Sequence, residues 1–389
     1  MSSMDLIYLD HNATTPLDPE VFEAMRPWFT ERFGNASAAY ALGHLSDGAI
    51  VAAREQVAAL VGCTPAEIVF TSGGTESLNH AFRGAWEALP AKRHLVTTAV
   101  EHPAVRALVV WWKGQGGEVT DVGVDGEGRL DLAVLEAAVR MDTALVAVMA
   151  ANNESGVLFP VTEAARLAKA KGALFLVDAT QAMGKIPVDA AAWGADLLCL
   201  SGHKFHGPKG TGLLMIRRGV RLKPLMLGGS QERGRRGGTE NVPGIVGLGK
   251  AAELAKARLA EMERVREFRN TLETRILAEI PDVRIHGATA DRLPNTCLAG
   301  FAGVEGEALQ LKLAEQRICV STGSACSTGM REPSHVLRAM HVPDTYAQGT
   351  VRFSLGRGTT SPQVQEVADL LSGLVMNLRR GAGDAVSSR

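Results

Sequence analysis

Short apolar segments alternate with amphipathic segments between about residues 50 and 250 of this chain. The amphipathic segments carry apolar residues at helical spacing, as at 49–61, 76–87 and 161–171. The apolar segments, which are typical of strands buried on both faces, lie at 68–71, 94–98, 145–149, 174–177, 197–200 and 212–216. This alternation predicts an α/β fold in which helices flank both faces of a large, mostly parallel sheet.

The pattern changes near residue 250, where a long charged helical stretch, residues 251–280, begins. Beyond it, short strands mix with helices, which is typical of a smaller α+β unit. A chain of 389 residues is also long enough for two domains. We therefore predict a large domain at residues 15–261 and a small domain formed by residues 1–14 and 262–389, which carries Cys326.

Composition and charge exclude several classes of protein. The net charge is −1 and the pI is about 6.8, without the basic excess expected of nucleic-acid or membrane-surface binding. No apolar run approaches the roughly 18 residues that a membrane span needs. The first residues lack the basic segment of a signal peptide, so we expect a cytoplasmic protein. Five widely spaced cysteines without a CxxC pair predict neither a disulfide scaffold nor an intrinsic metal site.

Polar residues follow five of the predicted strands. Taken singly, each has an ordinary structural explanation, such as a glycine turn, a helix cap or a solvated side chain. Because ligands bind at the carboxyl ends of strands in open α/β sheets, the set together predicts one binding site. It comprises the Ser-Gly-Gly-Thr-Glu sequence at 72–76, His102, Asn152 and Asn153, Asp178 and Gln181, and Ser201, His203 and Lys204.

These residue types match the chemistry of a pyridoxal phosphate (PLP) site. Glycines and a hydroxyl residue at a helix N-terminus, here Gly74 and Thr75, can bind a phosphate. A buried Asp178 needs a cationic partner, and a protonated pyridine nitrogen is one. Lys204 can form a Schiff base with an aldehyde cofactor. The GxGxxG sequence of dinucleotide-binding proteins is absent at these glycines.

Cys326 differs from the other cysteines in its surroundings. It lies in the small, polar, glycine-bounded sequence Ser-Thr-Gly-Ser-Ala-Cys-Ser-Thr-Gly at 321–329, which predicts an exposed loop. An exposed thiol is prone to oxidation, so we interpret Cys326 as reactive and not structural. Cys63, Cys199, Cys297 and Cys319 lie in apolar or strand-like sequence and are expected to be small buried side chains.

Several motifs together resemble those of a known family. Along nearly its whole length the chain resembles cysteine desulfurases of the NifS/IscS type, within class V of the fold-type I PLP enzymes. The Gly-Ser-Ala-Cys motif at 323–326 is the most specific, because related class V aminotransferases and lyases lack it. The other matching segments are residues 8–16, 71–77, 201–204, 232–239 and 352–357.

The resemblance has one departure. Residues 35–40 read Asn-Ala-Ser-Ala-Ala-Tyr where the family often has Asn-Pro-Ser-Ser-x-His, which bears on the substrate entrance. The sequence after Cys326 resembles the long-loop branch of the family and favours the NifS type.

The resemblance assigns roles residue by residue. It implies that Lys204 is the Schiff-base lysine, that Asp178 pairs with the pyridine nitrogen and that His102 stacks on the ring and transfers protons. Arg352, with Asn153, would bind the substrate carboxylate. The remaining cofactor contacts would be Gln181 and Asn153 to the phenolic oxygen, Gly74, Thr75, Ser201 and His203 to the phosphate, and Thr239 to the phosphate of the second subunit.

The implied activity is conversion of L-cysteine to L-alanine, with sulfane sulfur held as a persulfide on Cys326 for iron–sulfur cluster assembly. The implied partners are a second copy of the chain and an iron–sulfur scaffold protein that accepts the sulfur. Metal contact would be limited to transient contact of Cys326 with a nascent cluster.

Three alternatives remain open at the level of sequence. A selenocysteine lyase, or another class V aminotransferase or lyase, would not need Cys326. A catalytically silent sulfur-scaffold partner is disfavoured by the presence of Lys204, Asp178 and Cys326. A nucleotide-binding enzyme that uses Gly73 and Gly74 is disfavoured because no Walker-type lysine follows.

Overall fold

A computed structural model describes residues 6–322 and 333–387 of the chain. The strands within these residues, numbered in chain order, are β1 (Ile7–Tyr8), β2 (Ile68–Thr71), β3 (His94–Thr98), β4 (Glu118–Val122), β5 (Thr143–Met149), β6 (Leu174–Asp178), β7 (Leu197–Ser201), β8 (Gly212–Ile216), β9 (Val283–Ile285), β10 (Thr296–Phe301), β11 (Ile318–Cys319) and β12 (Thr350–Ser354).

The α-helices in the same residues are α1 (Pro19–Met25), α2 (Pro27–Thr30), α3 (Ala41–Val61), α4 (Gly74–Ala88), α5 (Pro103–Gly114), α6 (Leu132–Ala138), α7 (Val161–Ala170), α8 (Val242–Ala257), α9 (Met262–Glu279), α10 (Gly306–Glu315), α11 (His335–Ala339), α12 (Asp344–Ala347) and α13 (Ser361–Ser387).

The largest sheet has the strand order β2-β8-β7-β6-β5-β3-β4. All its neighbouring strands are parallel except β8, which runs antiparallel to both β2 and β7. The central strands are continuous apolar runs because both of their faces are covered, and every residue of β5 is buried. The predicted mostly parallel sheet is therefore confirmed.

Helices cover both faces of this sheet and build two hydrophobic cores. On one face, α3, α6, α7 and α8 pack around side chains such as Val146 and Phe175. On the other face, α4 and α5 enclose Trp112, whose ring meets Phe82 and Trp86 edge to face. This two-sided covering leaves the carboxyl edge of the strands free to bear loops.

A third core lies around the smaller sheets. The antiparallel sheet β12-β10-β9 and the parallel pair β1-β11 pack with α9, α10 and α13 around Phe301 and Phe353. The start of the chain therefore packs against its later part, and Asp10 forms a bridge with Ser354. The division into domains at residue 261 stays a prediction.

The structure differs from the sequence-based expectation at residues 251–280 and at β4, and it has further elements that were not predicted, among them α5 and β9. The stretch 251–280 is not one helix, because a short 3₁₀ turn, Leu259–Glu261, separates α8 from α9. Strand β4 was not predicted, because it lies at the sheet edge and its sequence, Glu-Val-Thr-Asp-Val, contains three polar residues and lacks a continuous apolar run.

Candidate active site

A cavity of about 230 Å³ lies at the carboxyl edge of the large sheet. It brings together nine of the ten predicted cofactor contacts, although they are spread over 131 residues of sequence, from 74 to 204. They are Gly74, Thr75, His102, Asn153, Asp178, Gln181, Ser201, His203 and Lys204, and the remaining lining residues are Leu78, Met149, Ala151 and Thr180.

The first turn of α4 forms one wall of the cavity. Gly73, which precedes it, has a φ of +153°, a conformation that L side chains rarely adopt, and no side chain caps the helix start. The first N–H groups of α4 therefore lack acceptors within the helix, and the helix dipole adds positive potential there. A Cβ on Gly74 would lie 3.3 Å from Thr180 Oγ1, so a larger residue would narrow this wall. The arrangement suits a bound anion such as a phosphate.

Asp178 ends strand β6 and presents its carboxylate to the cavity. The side chain is only 8 % exposed, and its Oδ1 accepts one hydrogen bond, from Thr180 N at 2.9 Å. Within residues 6–322 and 333–387, no basic side chain forms an ion pair with Asp178 at 4.0 Å or less. A buried carboxylate without a cation is costly, so this group is suited to a cationic ligand.

Lys204 follows β7 and lies across the same cavity. Its Nζ donates hydrogen bonds to the carbonyl oxygens of Asn12, at 2.6 Å, and Ala13, at 2.8 Å. Burial, followed by the charge of Arg352, lowers the pKa of Lys204 to about 8. A sizeable fraction of the amine is therefore neutral near physiological pH, and the neutral amine is the nucleophilic and basic form.

His102 is the N-cap residue of helix α5, and its hydrogen bond there shows which ring nitrogen carries the proton. Its Nδ1 accepts a hydrogen bond from Ala104 N at 3.1 Å, so the proton of the neutral imidazole is on Nε2. Burial lowers the pKa of His102 below its usual value, which keeps the ring neutral at physiological pH. A neutral ring in the cavity can stack on a flat ligand and exchange a proton.

Arg352, the predicted substrate-binding residue, lies beside the cavity and not in its wall. Its Nη1 donates to Asn153 O at 2.7 Å, and its Nη2 pairs with Asp10 at 2.7 Å. Its buried Nε has no partner among the described residues. Because Asn153 lines the cavity, Arg352 is one contact away from it.

Two predicted residues lie elsewhere. Thr239 lines a separate cavity of about 230 Å³, together with Glu232 and Arg236, and does not meet the nine other residues within one chain. Cys326 lies outside the described residues. The next described residues after Cys326 lie beside the site. Ser334 Oγ donates to Glu154 Oε2 at 2.6 Å, and His335 Nε2 lies 2.9 Å from Glu101 O.

The sequence analysis assigned no role to Asn12, although this residue connects several residues of the site by hydrogen bonds. Its carbonyl oxygen accepts from Lys204 and from Gln181 Nε2 at 2.9 Å. Its side-chain Oδ1 accepts from Lys185 Nζ, and its Nδ2 donates to Thr296 Oγ1, both at 2.9 Å. The only signal in the sequence was its place in the motif at 8–16, which gives no contacts.

The described residues contain no group of three or more His, Cys, Asp or Glu side chains that could hold a metal ion. No helix in the described part of the chain is long and apolar enough to cross a membrane.

The comparisons with known proteins agree on one family. The family model described as "Aminotransferase class-V" matches residues 7–367. The chain is 52 % identical to a cysteine desulfurase of Trichormus azollae over 377 residues, which cover 97 % of this chain and 94 % of that protein. It is 51 % identical to the cysteine desulfurase of Gluconacetobacter diazotrophicus over 379 residues, with 97 % and 95 % covered.

Solved structures give the same result. A NifS-like protein superposes with a TM-score of 0.90 at 38 % identity, covering 96 % of this chain and all of that one. The structure of SspA in complex with cysteine has a TM-score of 0.81 at 33 % identity, with 91 % and 100 % covered. The chain therefore belongs to the class-V aminotransferase family, whose members are in general PLP enzymes. Within that family it groups with the cysteine desulfurases.

Proposed function

We propose that this chain is a PLP-dependent cysteine desulfurase that converts L-cysteine to L-alanine and holds the sulfur as a persulfide on Cys326. One observation carries the proposal: a single cavity combines the open start of α4, the unpaired carboxylate of Asp178 and the partly neutral amine of Lys204. The cysteine desulfurase relatives supply the reaction class.

The lining residues fit PLP group by group. The first turn of α4, with Thr75, Ser201 and His203, would bind the phosphate, and Asp178 would pair with the protonated ring nitrogen. Lys204 would bind the aldehyde carbon, and Gln181 and Asn153 lie in the same wall for the phenolic oxygen. When bound, PLP would supply an electron sink for the charge that develops at the α-carbon of an amino acid.

The protein side chains would position the substrate and move its protons. The Arg352 guanidinium would bind the cysteine carboxylate, for which its planar geometry is suited. The Lys204 amine, released by the incoming substrate, would remove the α-proton, since its lowered pKa leaves it partly neutral. His102 would take the thiol proton of Cys326 as the thiolate forms, and because Nε2 already carries a proton, the accepting atom would be Nδ1 after it releases Ala104 N.

Sulfur transfer would be an attack of the Cys326 thiolate on the substrate sulfur. A sulfur–sulfur bond forms while the carbon–sulfur bond breaks, and the electron pair of that bond stays with the three-carbon fragment. The fragment takes up a proton at its β-carbon, regains one at its α-carbon from Lys204, and leaves as alanine. An acceptor thiol then removes the sulfane sulfur by exchange, and we propose that an iron–sulfur scaffold protein supplies it.

The test measures both products from L-cysteine and a reductant. The purified parent should release alanine and sulfide in equal amounts, whereas Cys326→Ala should release neither while keeping the visible absorption of the bound cofactor. Cys63→Ala is the matched control, because Cys63 is half-buried, outside the cavity, and burial raises its pKa to about 12. This control should retain the parent's activity.

Other outcomes would contradict the proposal in distinct ways. Unchanged alanine and sulfide from Cys326→Ala would make the cysteine dispensable and favour a lyase. Cofactor binding without either product in the parent would favour an aminotransferase.

A further inference from the structure

Lys204 also lines a second cavity, of about 30 Å³, which the proposed reaction does not use. Six of its fifteen lining residues are basic, and none of the fifteen is Asp or Glu. The basic residues are His11, Lys185, Lys204, His206, Arg258 and Arg357. Burial lowers the pKa of His206 to about 4, so this ring is neutral at physiological pH, and the charge facing the cavity depends on the lysines and arginines.

The arginines are only partly neutralised. Arg258 pairs with Asp18 at 2.8 Å and with Glu20, so its charge is compensated outside the cavity. Arg357 Nη2 shares Asp18 at 3.2 Å, but its Nη1 is buried and has no acceptor among the described residues. Arginine stays protonated inside proteins, so Arg357 cannot relieve this by losing its proton.

Lys185 has no acidic partner. The side chain is 7 % exposed, and its Nζ donates to two neutral amide oxygens, Asn12 Oδ1 at 2.9 Å and Gln181 Oε1 at 2.5 Å. An ammonium group has three N–H donors, and no carboxylate of the described chain lies within 4.0 Å of this one. A buried ammonium without a counter-ion is costly, so Lys185 either loses its proton or acquires an anion.

His11 adds a further unsatisfied atom. It is 6 % exposed, and its Nδ1 is buried without a partner among the described residues. Burial lowers the pKa of His11 to about 3, so the ring is neutral at physiological pH and contributes no charge of its own. Arg357 supplies the permanent positive charge, whereas burial lowers the pKa of Lys185 well below its usual value, so that Lys185 keeps its proton only if an anion binds beside it.

We propose that this cavity binds one small monovalent anion, chloride or one of similar size, as a counter-ion shared by Lys185 and Arg357. A polar cavity needs roughly 10–15 Å³ to hold one water molecule, so about 30 Å³ has room for a single halide. A water molecule could satisfy the hydrogen bonds of Arg357, but only an anion would keep Lys185 protonated. The site does not depend on the proposed reaction, because every group in it belongs to the chain.

The anion would act on Lys204 through charge. Lys204 lines both cavities, so a negative charge in the smaller one favours its protonated form and raises its pKa. Occupancy of the small cavity would thus set how much neutral amine is available in the large one.

The direct test uses bromide as the probe. Crystals of the full chain, carrying its cofactor and grown without chloride, are soaked in sodium bromide, and anomalous scattering is measured. A single strong peak within about 3.5 Å of Lys185 Nζ and Arg357 Nη1 is expected, since that is the usual range of a hydrogen-bonded halide. A cavity filled with water, without an anomalous peak, would overturn the proposal.

A solution test uses chloride against gluconate at equal ionic strength. Chloride should raise the thermal unfolding midpoint of the parent by about 2 °C, because a ligand of the folded state stabilises it. Lys185→Met and Arg357→Gln should lose this shift, while Lys113→Met, which changes an exposed lysine, should keep it. Either cavity variant suffices if the other fails to fold. An equal shift in the parent and in both cavity variants would locate chloride elsewhere and refute the proposal.

Discussion

At the scale of single residues, the site contains a carboxylate that needs a cation and an amine that is easily deprotonated. Asp178 accepts a hydrogen bond from Thr180 N and forms no ion pair among the described residues. Lys204 is held by two carbonyl oxygens, and burial lowers its pKa to about 8. The Lys204 amine is thus partly neutral, as the proposed bond to the cofactor requires, before the cofactor arrives.

The pKa of Lys204 predicts how fast the cofactor-free chain binds PLP. Only the neutral amine attacks an aldehyde, and its fraction grows with pH until the pH exceeds about 8. The binding rate should therefore rise about tenfold per pH unit below pH 7.5 and level off above 8. Stopped-flow measurement of the visible absorption checks this, with Lys113→Ala as a control that behaves like the parent. A rate independent of pH would contradict the expectation.

Glu101 predicts a dependence of stability on pH. It is 1 % exposed, its Oε1 accepts from Thr98 Oγ1 and Met149 N, and its Oε2 has no partner among the described residues. Burial raises its pKa from 4.5 to about 8. The folded chain then binds a proton that the unfolded chain releases above pH 4.5, so this group lowers the free energy of unfolding progressively from pH 4.5 to 8.

Glu101→Gln removes this penalty. At pH 8.5 it should raise the free energy of unfolding by about 2 kcal/mol or more, whereas at pH 4 the difference should be small. Urea unfolding at both pH values measures the change. Glu163→Gln, at an exposed position in α7, serves as the control and should change little at either pH. A Glu101→Gln variant that is less stable at pH 8.5 would show that the carboxyl is ionised and paired.

At the scale of elements, the junction of β8 with the start of α4 sets the shape of the anion-binding wall. A Cβ on Gly212 would lie 2.6 Å from Gly73 Cα and 2.6 Å from Leu200 O, which are both backbone atoms. Neither atom can move away without shifting a strand or the helix start. The first turn of α4 therefore depends on the absence of a side chain on a neighbouring strand.

Gly212→Ala should weaken PLP binding about tenfold or more, because the added methyl group displaces Gly73 and turns the first N–H groups of α4 away. Equilibrium titration of the cofactor-free variant, after its fold is verified by circular dichroism, measures the loss. Gly48→Ala is the matched control: it lies within α3, no atom lies within 4 Å of its added Cβ, and it should raise stability by up to about 1 kcal/mol. Unchanged affinity in a folded Gly212→Ala variant would contradict this role.

Elements differ in how well the sequence predicted them. The buried strands β2, β3 and β8 have the predicted bounds because a strand covered on both faces is a continuous apolar run. Polar residues directly after these strands could be assigned to one site, because parallel strands end at the same edge of a sheet. The edge strand β4 could not be predicted, because solvent on one side removes the apolar run.

Contacts between residues that are distant in the chain could not be predicted from the sequence alone. Asn12 contacts Lys204 and Thr296, which are 192 and 284 residues away, and no local pattern encodes that meeting. Thr239 lies in a different cavity from the other predicted contacts, so its predicted role requires a second subunit. The motif around Cys326 indicated a reactive thiol, but Cys326 itself lies outside the described residues.

At the scale of the whole molecule, we propose the homodimer that the family resemblance implies, in which each site combines Lys204 of one subunit with Thr239 of the other. Mixed dimers of Lys204→Ala and Thr239→Val chains then contain one site with both residues intact and one with neither. Such dimers, isolated with two affinity tags, should show about half the activity of the parent, while each variant alone should have roughly a tenth of it or less. Activity in mixed dimers no higher than the average of the two variants would show that Thr239 acts within its own chain.

The contacts of the N-terminal segment also determine when this protein can first work during its synthesis. Asp10 and Asn12 each leave the ribosome 342 residues ahead of their partners, Arg352 and Ser354. A nascent chain that already contains Asp178 and Lys204 still lacks the strand to which its own beginning must bind. Cofactor capture in its final geometry is therefore a post-translational event, and a chain released before β12 would carry most of the pocket residues without a closed pocket.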